Sequence, residues 1–154
     1  MKSIEEKIKE IKKGDFEVHH IFKKIVSKDS AFTRNEEIID LIFIRRKRID
    51  ERDENSPISS PAKLLLATTQ GLVYTEEGFE EISDDYYGYR MKDIYFDKLS
   101  SLELDISLLQ GKFKATANSS DKPEININFN AGIYYQEFEN FLDIVRQYRI
   151  RYND

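Results

Sequence analysis

Between Ser101 and Asn130 the chain alternates apolar and polar residues with a period of two, and from Tyr134 the period becomes helical. Leu102, Leu104 and Ile106 oppose Ser101, Glu103, Asp105 and Ser107. Beyond a turn expected at Gln110-Gly111, Phe113, Ala115 and Ala117 oppose Lys112, Lys114 and Thr116. Beyond Asp121-Lys122-Pro123, Ile125, Ile127 and Phe129 oppose Glu124, Asn126, Asn128 and Asn130. Such alternation sets one face of each strand in a core and the other in water, the pattern of an antiparallel meander. Ala131-Gly132 reads as a break. Tyr134, Phe138, Phe141, Leu142, Val145, Tyr148 and Tyr152 then recur at helical spacing and predict one amphipathic helix over 134–152. Glu137 and Glu139 near its start, and Arg146, Arg149 and Arg151 near its end, complement the helix dipole. So long a stripe needs cover, and the preceding strands are the nearest surface. Phe138, Phe141, Leu142 and Val145 are expected to be buried with Leu102, Leu104, Phe113 and Ile127.

Upstream, Ser3 and Glu6 form a capping box ahead of Ile4, Ile8 and Ile11, with Gly14 as a stop. Asp15 is the expected cap of a second helix bearing Phe16, Val18, Phe22, Ile25 and Val26. Residues 3–28 thus read as a helical hairpin with two apolar faces to cover, against the rest of the chain or against a second copy. Glu36–Ile49 is rich in β-formers and reads as the first strand, although its periodicity also suits a helix. Asp50–Pro61 reads as a polar loop. Lys63–Thr69 and Leu72–Thr75 form a tight hairpin around Gln70-Gly71. Glu76–Gly88 is an acidic excursion expected to be a solvated loop, and Tyr89–Asp97 is a weaker strand.

Seven strands followed by one long helix is the element order of the pleckstrin-homology (PH) superfold, and short motifs extend the likeness. Leu64-Leu65-Leu66-Ala67-Thr68-Thr69-Gln70-Gly71-Leu72-Val73-Tyr74 resembles the second-to-third strand hairpin of the bacterial PH-like family, in its short YokE-like form. Ile94-Tyr95-Phe96-Asp97-Lys98-Leu99-Ser100-Ser101-Leu102 is similar to that family's next block, and Leu108-Leu109-Gln110-Gly111-Lys112-Phe113 to its Gly-Lys turn. Gly71 stands where the family usually has Arg, and the Glu76–Gly88 excursion is longer than usual. The resemblance implies a mostly β (α+β) domain: a partly open, seven-stranded antiparallel barrel capped by the C-terminal helix. It would span 35–154, with 1–34 as an N-terminal helical extension.

Composition restricts the chemistry. The chain has 154 residues and no cysteine, which excludes disulfides, thiolate nucleophiles and Cys-ligated metals. With 24 Lys+Arg against 29 Asp+Glu the net charge is −5, a poor footprint for nucleic acid or anionic membrane. No apolar run reaches membrane-spanning length, and a cytoplasmic protein is expected. His19-His20 is the only histidine pair; adjacent residues on a helix point about 100° apart and do not chelate one ion. Glu76, Glu77, Glu80, Glu81, Asp84 and Asp85 lack EF-hand spacing. No Gly-x-Ser-x-Gly elbow or phosphate-binding loop occurs, so neither an enzyme nor a cofactor is expected.

Two stretches remain as candidate binding sites. Arg45-Arg46-Lys47-Arg48, with Lys63, offers clustered donors for phosphate oxygens, as in many eukaryotic PH domains. Alternation would split the four between two faces, and Asp50, Glu51, Asp53 and Glu54 follow closely enough to neutralise them. Ser101–Ser107, including Ser101, Glu103 and Asp105, would form the strand beside the C-terminal helix, where PH-like folds accept an extended peptide. The leading expectation is a non-enzymatic binding or assembly module with a protein partner or a second copy. The alternative is recognition of a phosphate or lipid headgroup.

Overall fold

The computed structural model describes residues 2–14, 18–53, 55–83, 86–118 and 120–153, with backbone alone for 79–83, 86–87 and 151–153. Asp15, Phe16, Glu54, Asp84 and Asp85 lie outside the described residues. So do the side chains of Phe79, Glu80, Glu81, Ile82, Tyr86, Tyr87, Arg151 and Tyr152. Helix α1 runs Ile4–Lys13 and is capped by Ser3, whose Oγ accepts the Glu6 N–H at 3.2 Å. Helix α2 is shorter than its apolar pattern suggested, His20–Val26, because His19 is its cap and accepts the Ile21 N–H at 3.1 Å through Nδ1. Ser27 is its C-cap, and Lys28 just beyond takes a left-handed φ of 63°.

The rest is mostly β, in antiparallel sheets. β1 (Ile38–Ile44), β4 (Lys63–Thr68), β5 (Gly71–Ser83) and β6 (Tyr86–Tyr95) form a four-stranded sheet in that order. β7 (Leu99–Ser107), β8 (Gln110–Ala117) and β9 (Ile125–Asn130) form a three-stranded meander. The expected first strand, 36–49, is divided. β1 stops at Ile44, and β2 (Lys47–Arg48) pairs instead with β3 (Ile58–Ser60), so the presumed polar loop carries its own short ribbon. The acidic excursion is not a loop either. β5 runs on to Ser83 and is paired with β6 as far as Tyr86, which also starts β6 earlier than Tyr89.

Two further boundaries differ from the sequence reading for steric reasons. The β7–β8 turn is Leu108-Leu109, with Ser107 opposite Gln110. Gly111 is in β8, where the Phe129 ring covers it so closely that a Cβ would overlap it. Helix α3 begins at Ala131, not Tyr134, and runs to Asn153. Asn130 accepts the Ile133 N–H at 3.3 Å, so its side chain starts the helix and Gly132 is absorbed in the first turn.

The four-stranded sheet is buried on both faces. Ile42, Leu65, Ala67, Leu72, Tyr74 and Ile94 face the meander and α3, where Phe113, Ile127, Phe129, Phe138, Phe141 and Val145 complete one core. Phe129 stacks on Phe138 at 4.0 Å, and Phe113 meets Phe141 edge-on at 6.2 Å. Leu41, Leu64, Leu66 and Val73 face outward and are covered by Ile11, Ile21, Phe22, Ile25 and Val26 of the N-terminal helices. Lys7 of α1 holds that contact in place: its Nζ lies 3.0 Å from Asp40 Oδ1 and 3.2 Å from the Leu41 carbonyl. Leu102, Leu104 and Leu142, expected in the core, are only half-buried. No helix among the described residues is long and apolar enough to cross a membrane.

If α1 and α2 belong to the packed structure, removing the Phe22 ring damages the whole fold. Phe22→Ala is expected to cost about 3–5 kcal/mol in equilibrium urea unfolding of the full chain. A loose appendage would leave stability within about 0.5 kcal/mol of the wild type.

Candidate functional site

The basic run is divided by the end of β1. Arg46 turns inward and makes a bidentate pair with Glu77 of β5: Nε and Nη2 each donate to one carboxylate oxygen at 2.7 Å. Both side chains are almost fully buried, 5% and 1% exposed. Glu77 Oε1 also accepts the Ala62 N–H at 2.8 Å, so one carboxylate ties the exit of β1 and the entry of β4 to β5. Arg48 donates to the Ser56 carbonyl at 2.8 Å and secures the β2–β3 ribbon. The acids that follow serve backbone turns: Glu51 accepts the Arg48 N–H, Asp50 the Arg52 N–H and Asp53 the Asn55 N–H. Two of the four predicted cations, Arg46 and Arg48, are therefore part of the scaffold.

Arg45 and Lys47 remain exposed and line a cleft of about 680 Å³ between β1 and the β7–β8 hairpin. The Arg45 N–H donates to Tyr134 Oη at 3.3 Å, which fixes the β1 exit against α3. Lys112 from β8 joins them in the cleft wall, with Asp105 opposite it in register. Ile44, Ile106, Leu109 and Phe129 supply apolar surface. Lys63 lies to one side, its Nζ 3.5 Å from Ser60 Oγ. Burial holds its ammonium below the ordinary lysine value of 10.5; the carboxylate of Glu76 opposes that shift and Lys47 adds to it. Sequence reasoning missed Lys112 and Leu109, which come to the cleft from a separate sheet.

A second opening, about 410 Å³, separates β7 from α3. Leu102, Leu104 and Leu142 form its floor, and Glu139, Asp143, Arg146 and Arg149 line it from the helix. β7 is an edge strand, hydrogen-bonded to β8 on one side only. At one end Arg149 Nη2 donates to the Ser100 carbonyl at 3.0 Å. At the other the Ala131 N–H donates to the Leu109 carbonyl at 2.9 Å, so helix and strand run antiparallel. Ser101, Glu103 and Asp105 are exposed on the strand face opposite Leu102 and Leu104. Their backbone borders this groove but their side chains do not line it, and Glu103 pairs across the sheet with Lys114 at 3.3 Å.

The histidines and the buried Tyr74 are held by their immediate neighbours. His19 is buried and stacked on the exposed His20 at 4.4 Å, and desolvation, with His19 and Lys24 adding to it, lowers the His20 pKa from its ordinary value. Burial and the neighbouring Glu76 carboxylate raise the Tyr74 pKa; its Oη donates to Glu76 Oε2 at 3.2 Å. No group of three or more His, Asp or Glu side chains among the described residues is placed to hold a metal ion. No protein-family model matches the chain, and neither a curated protein nor a solved structure does.

Arg46→Met would leave Glu77 charged in an apolar site, and urea unfolding should register a loss of about 3–5 kcal/mol. Adding Glu77→Gln removes that charge while keeping an acceptor for the Ala62 N–H, and should restore most of the loss. For Lys63 the folded pKa lies below the unfolded one, so its burial is costly at neutral pH and the cost fades as pH rises toward 10.5. Lys63→Met should therefore gain most in melting temperature at neutral pH, with the gain shrinking as pH approaches 10.5. A gain independent of pH would contradict that assignment.

Proposed function

We propose that this chain is a non-enzymatic, PH-like protein-interaction module that takes an extended segment of a partner against β7. The single observation that carries this reading is the open edge of β7 beside α3, floored by half-buried leucines. An edge strand with an apolar groove on one flank supplies main-chain hydrogen bonds and side-chain pockets to an added strand. Helix residues 139, 142, 143, 146 and 149 follow i, i+3, i+4 spacing, so this wall is a second stripe beside the core stripe of Phe138, Phe141 and Val145.

The PH-like assignment is supported by element order. With the two short strands of the β2–β3 ribbon set aside as a loop ornament, seven strands remain, four in one sheet and three in the other, followed by a helix. The groove also favours a charge order in its occupant. Arg146 and Arg149 lie toward the Ser100 end, while Glu139 and Asp143 lie toward the hairpin. A complementary segment carries apolar residues at alternate positions, acidic residues near the arginines and basic residues near the carboxylates. The headgroup-reading alternative is weaker, because Arg46 and Arg48 are already engaged inside the scaffold.

Affinity capture from the source cell, with partners identified by mass spectrometry, tests the groove when wild type is compared with Leu142→Gln. A groove partner should be retained by the wild type and reduced at least about tenfold on the variant, with melting temperature lowered only slightly, since Leu142 is half-exposed. If every captured partner survives both Leu142→Gln and Leu104→Gln, the proposal is wrong.

A further inference from the structure

Resting on the reading of β7 as a strand-accepting edge, we propose that its occupant is β7 of a second copy of this chain. The two strands pair antiparallel about a two-fold axis through Leu102. The first observation is the edge itself. β7 is hydrogen-bonded to β8 alone, and its span 101–107 contains no proline, lysine or arginine of the kind that keeps an edge from adding a strand. Its acids are matched within the sheet: Glu103 pairs with Lys114 at 3.3 Å, and Asp105 lies opposite Lys112 in register. Ser107 and Gln110 flank the two-residue turn, and a flanking pair of this kind exchanges both main-chain hydrogen bonds. Alternation back along the strand then turns the N–H and C=O groups of Ile106, Leu104 and Leu102 to the open edge.

The second observation is the order of charge on α3. The groove wall carries Glu139 and Asp143 toward the hairpin, and Arg146 and Arg149 toward Ser100. A two-fold axis reverses that order, so the bases of one helix meet the acids of the other. The packing of helix on strand fixes where the axis must lie. Ala131 is bonded to Leu109 and Arg149 to Ser100, so two helix residues pass for each strand residue, as rises of about 1.5 and 3.3 Å require. The midpoint of Asp143 and Arg146 is therefore level with Leu102, and so is the midpoint of Glu139 and Arg149. About that axis Asp143 faces Arg146 of the second copy, and Glu139 faces Arg149 of the second copy.

The strands agree with the helices on this register. Leu102 exchanges both main-chain bonds with its own copy. Leu104 stands opposite Ser100, whose carbonyl keeps a second lone pair beside the bond from Arg149. On the solvent face Glu103 stands opposite Ser101. Moving the axis to Leu104 would instead set Glu103 against Asp105 and Glu139 against Asp143, like charges on the strands and on the helices alike. The pairing joins the two meanders into one continuous sheet and closes Leu102, Leu104 and Leu142 of each copy over one another, the leucines that a single chain leaves half-buried. An unrelated partner needs the same order of acids and bases in reverse, whereas a second copy has it by symmetry.

The test is sedimentation equilibrium of the full chain, in which the wild type is expected to dimerise reversibly. Asp143→Arg and Arg146→Asp each set like charges across the axis and should weaken the dimer at least about tenfold. Both residues are exposed, so the melting temperature of dilute protein should hardly change. The decisive sample mixes the two variants: every contact across the axis is then opposite in sign again, and a dimer with one copy of each should return. Leu102→Cys places a thiol on the axis in a chain that has no other, so mild oxidation should link the two copies, while Leu104→Cys, off the axis, should stay unlinked. A wild type that stays monomeric overturns the proposal, as does a dimer that neither charge variant weakens, a mixture without rescue, or linkage through Leu104→Cys in place of Leu102→Cys. A monomer that still captures a partner lost on Leu142→Gln overturns the second copy as occupant and leaves the groove reading standing. A monomer whose captured partners all survive Leu142→Gln and Leu104→Gln overturns both.

Discussion

β4 has no solvent face, and the architecture follows from that. Leu64 and Leu66 point to one side of the sheet, Leu65 and Ala67 to the other, and all four are buried. A two-layer fold with one wet face would leave Leu64 and Leu66 in water, at a cost of roughly 1.5–3 kcal/mol each. The N-terminal helices remove that cost by forming a third layer. The dependence is mutual, since α1 has ten residues and a helix that short is marginal alone in water. Sheet and helices therefore stabilise each other, and the helices are a structural layer rather than an appendage.

Where charged groups enter these interfaces they are paired, and each pair joins segments distant in the chain. Lys7 and Asp40 fix α1 over β1, and Arg46 and Glu77 fix the end of β1 to β5. A buried pair gives little net stability over apolar residues of the same shape, but removing one partner is costly. That asymmetry divides the basic run by role. Arg46 and Arg48 are engaged with the scaffold, while Arg45 and Lys47 are left on the surface with Lys112.

The position of α3 sets both candidate surfaces. Its core stripe plugs the space between the sheets, and the adjacent stripe of Leu142 and the charged residues stands back from β7, leaving a groove. Its first turn is tied to the hairpin through the Ala131 N–H and the Leu109 carbonyl. One helix thus borders the β7 groove along its length and is joined to the β7–β8 hairpin at its start.

Much of this was legible in the chain alone. Alternation in 101–130 specifies three strands, the 134–152 stripe specifies a helix, and Ser3 with Glu6 specifies where α1 begins. The antiparallel β-rich class follows, as does the burial of Phe113, Phe138, Phe141 and Val145. The boundaries that misled were set by tertiary contacts. Gly111 is a strand glycine because the Phe129 ring lies over it, Gly132 is a helix glycine because Asn130 caps across it, and the acidic ribbon is strand because β5 and β6 pair along it. The candidate sites were the least legible part. Leu102, Leu104 and Leu142 have the pattern of core residues, and only the distance between β7 and α3 leaves them half-exposed. Period and punctuation are local, so they can be read in order along the chain. Arg46 meets Glu77 across 31 positions and Arg45 meets Tyr134 across 89, and which cation is engaged and which leucine stays in water depends on surfaces that only folding brings together.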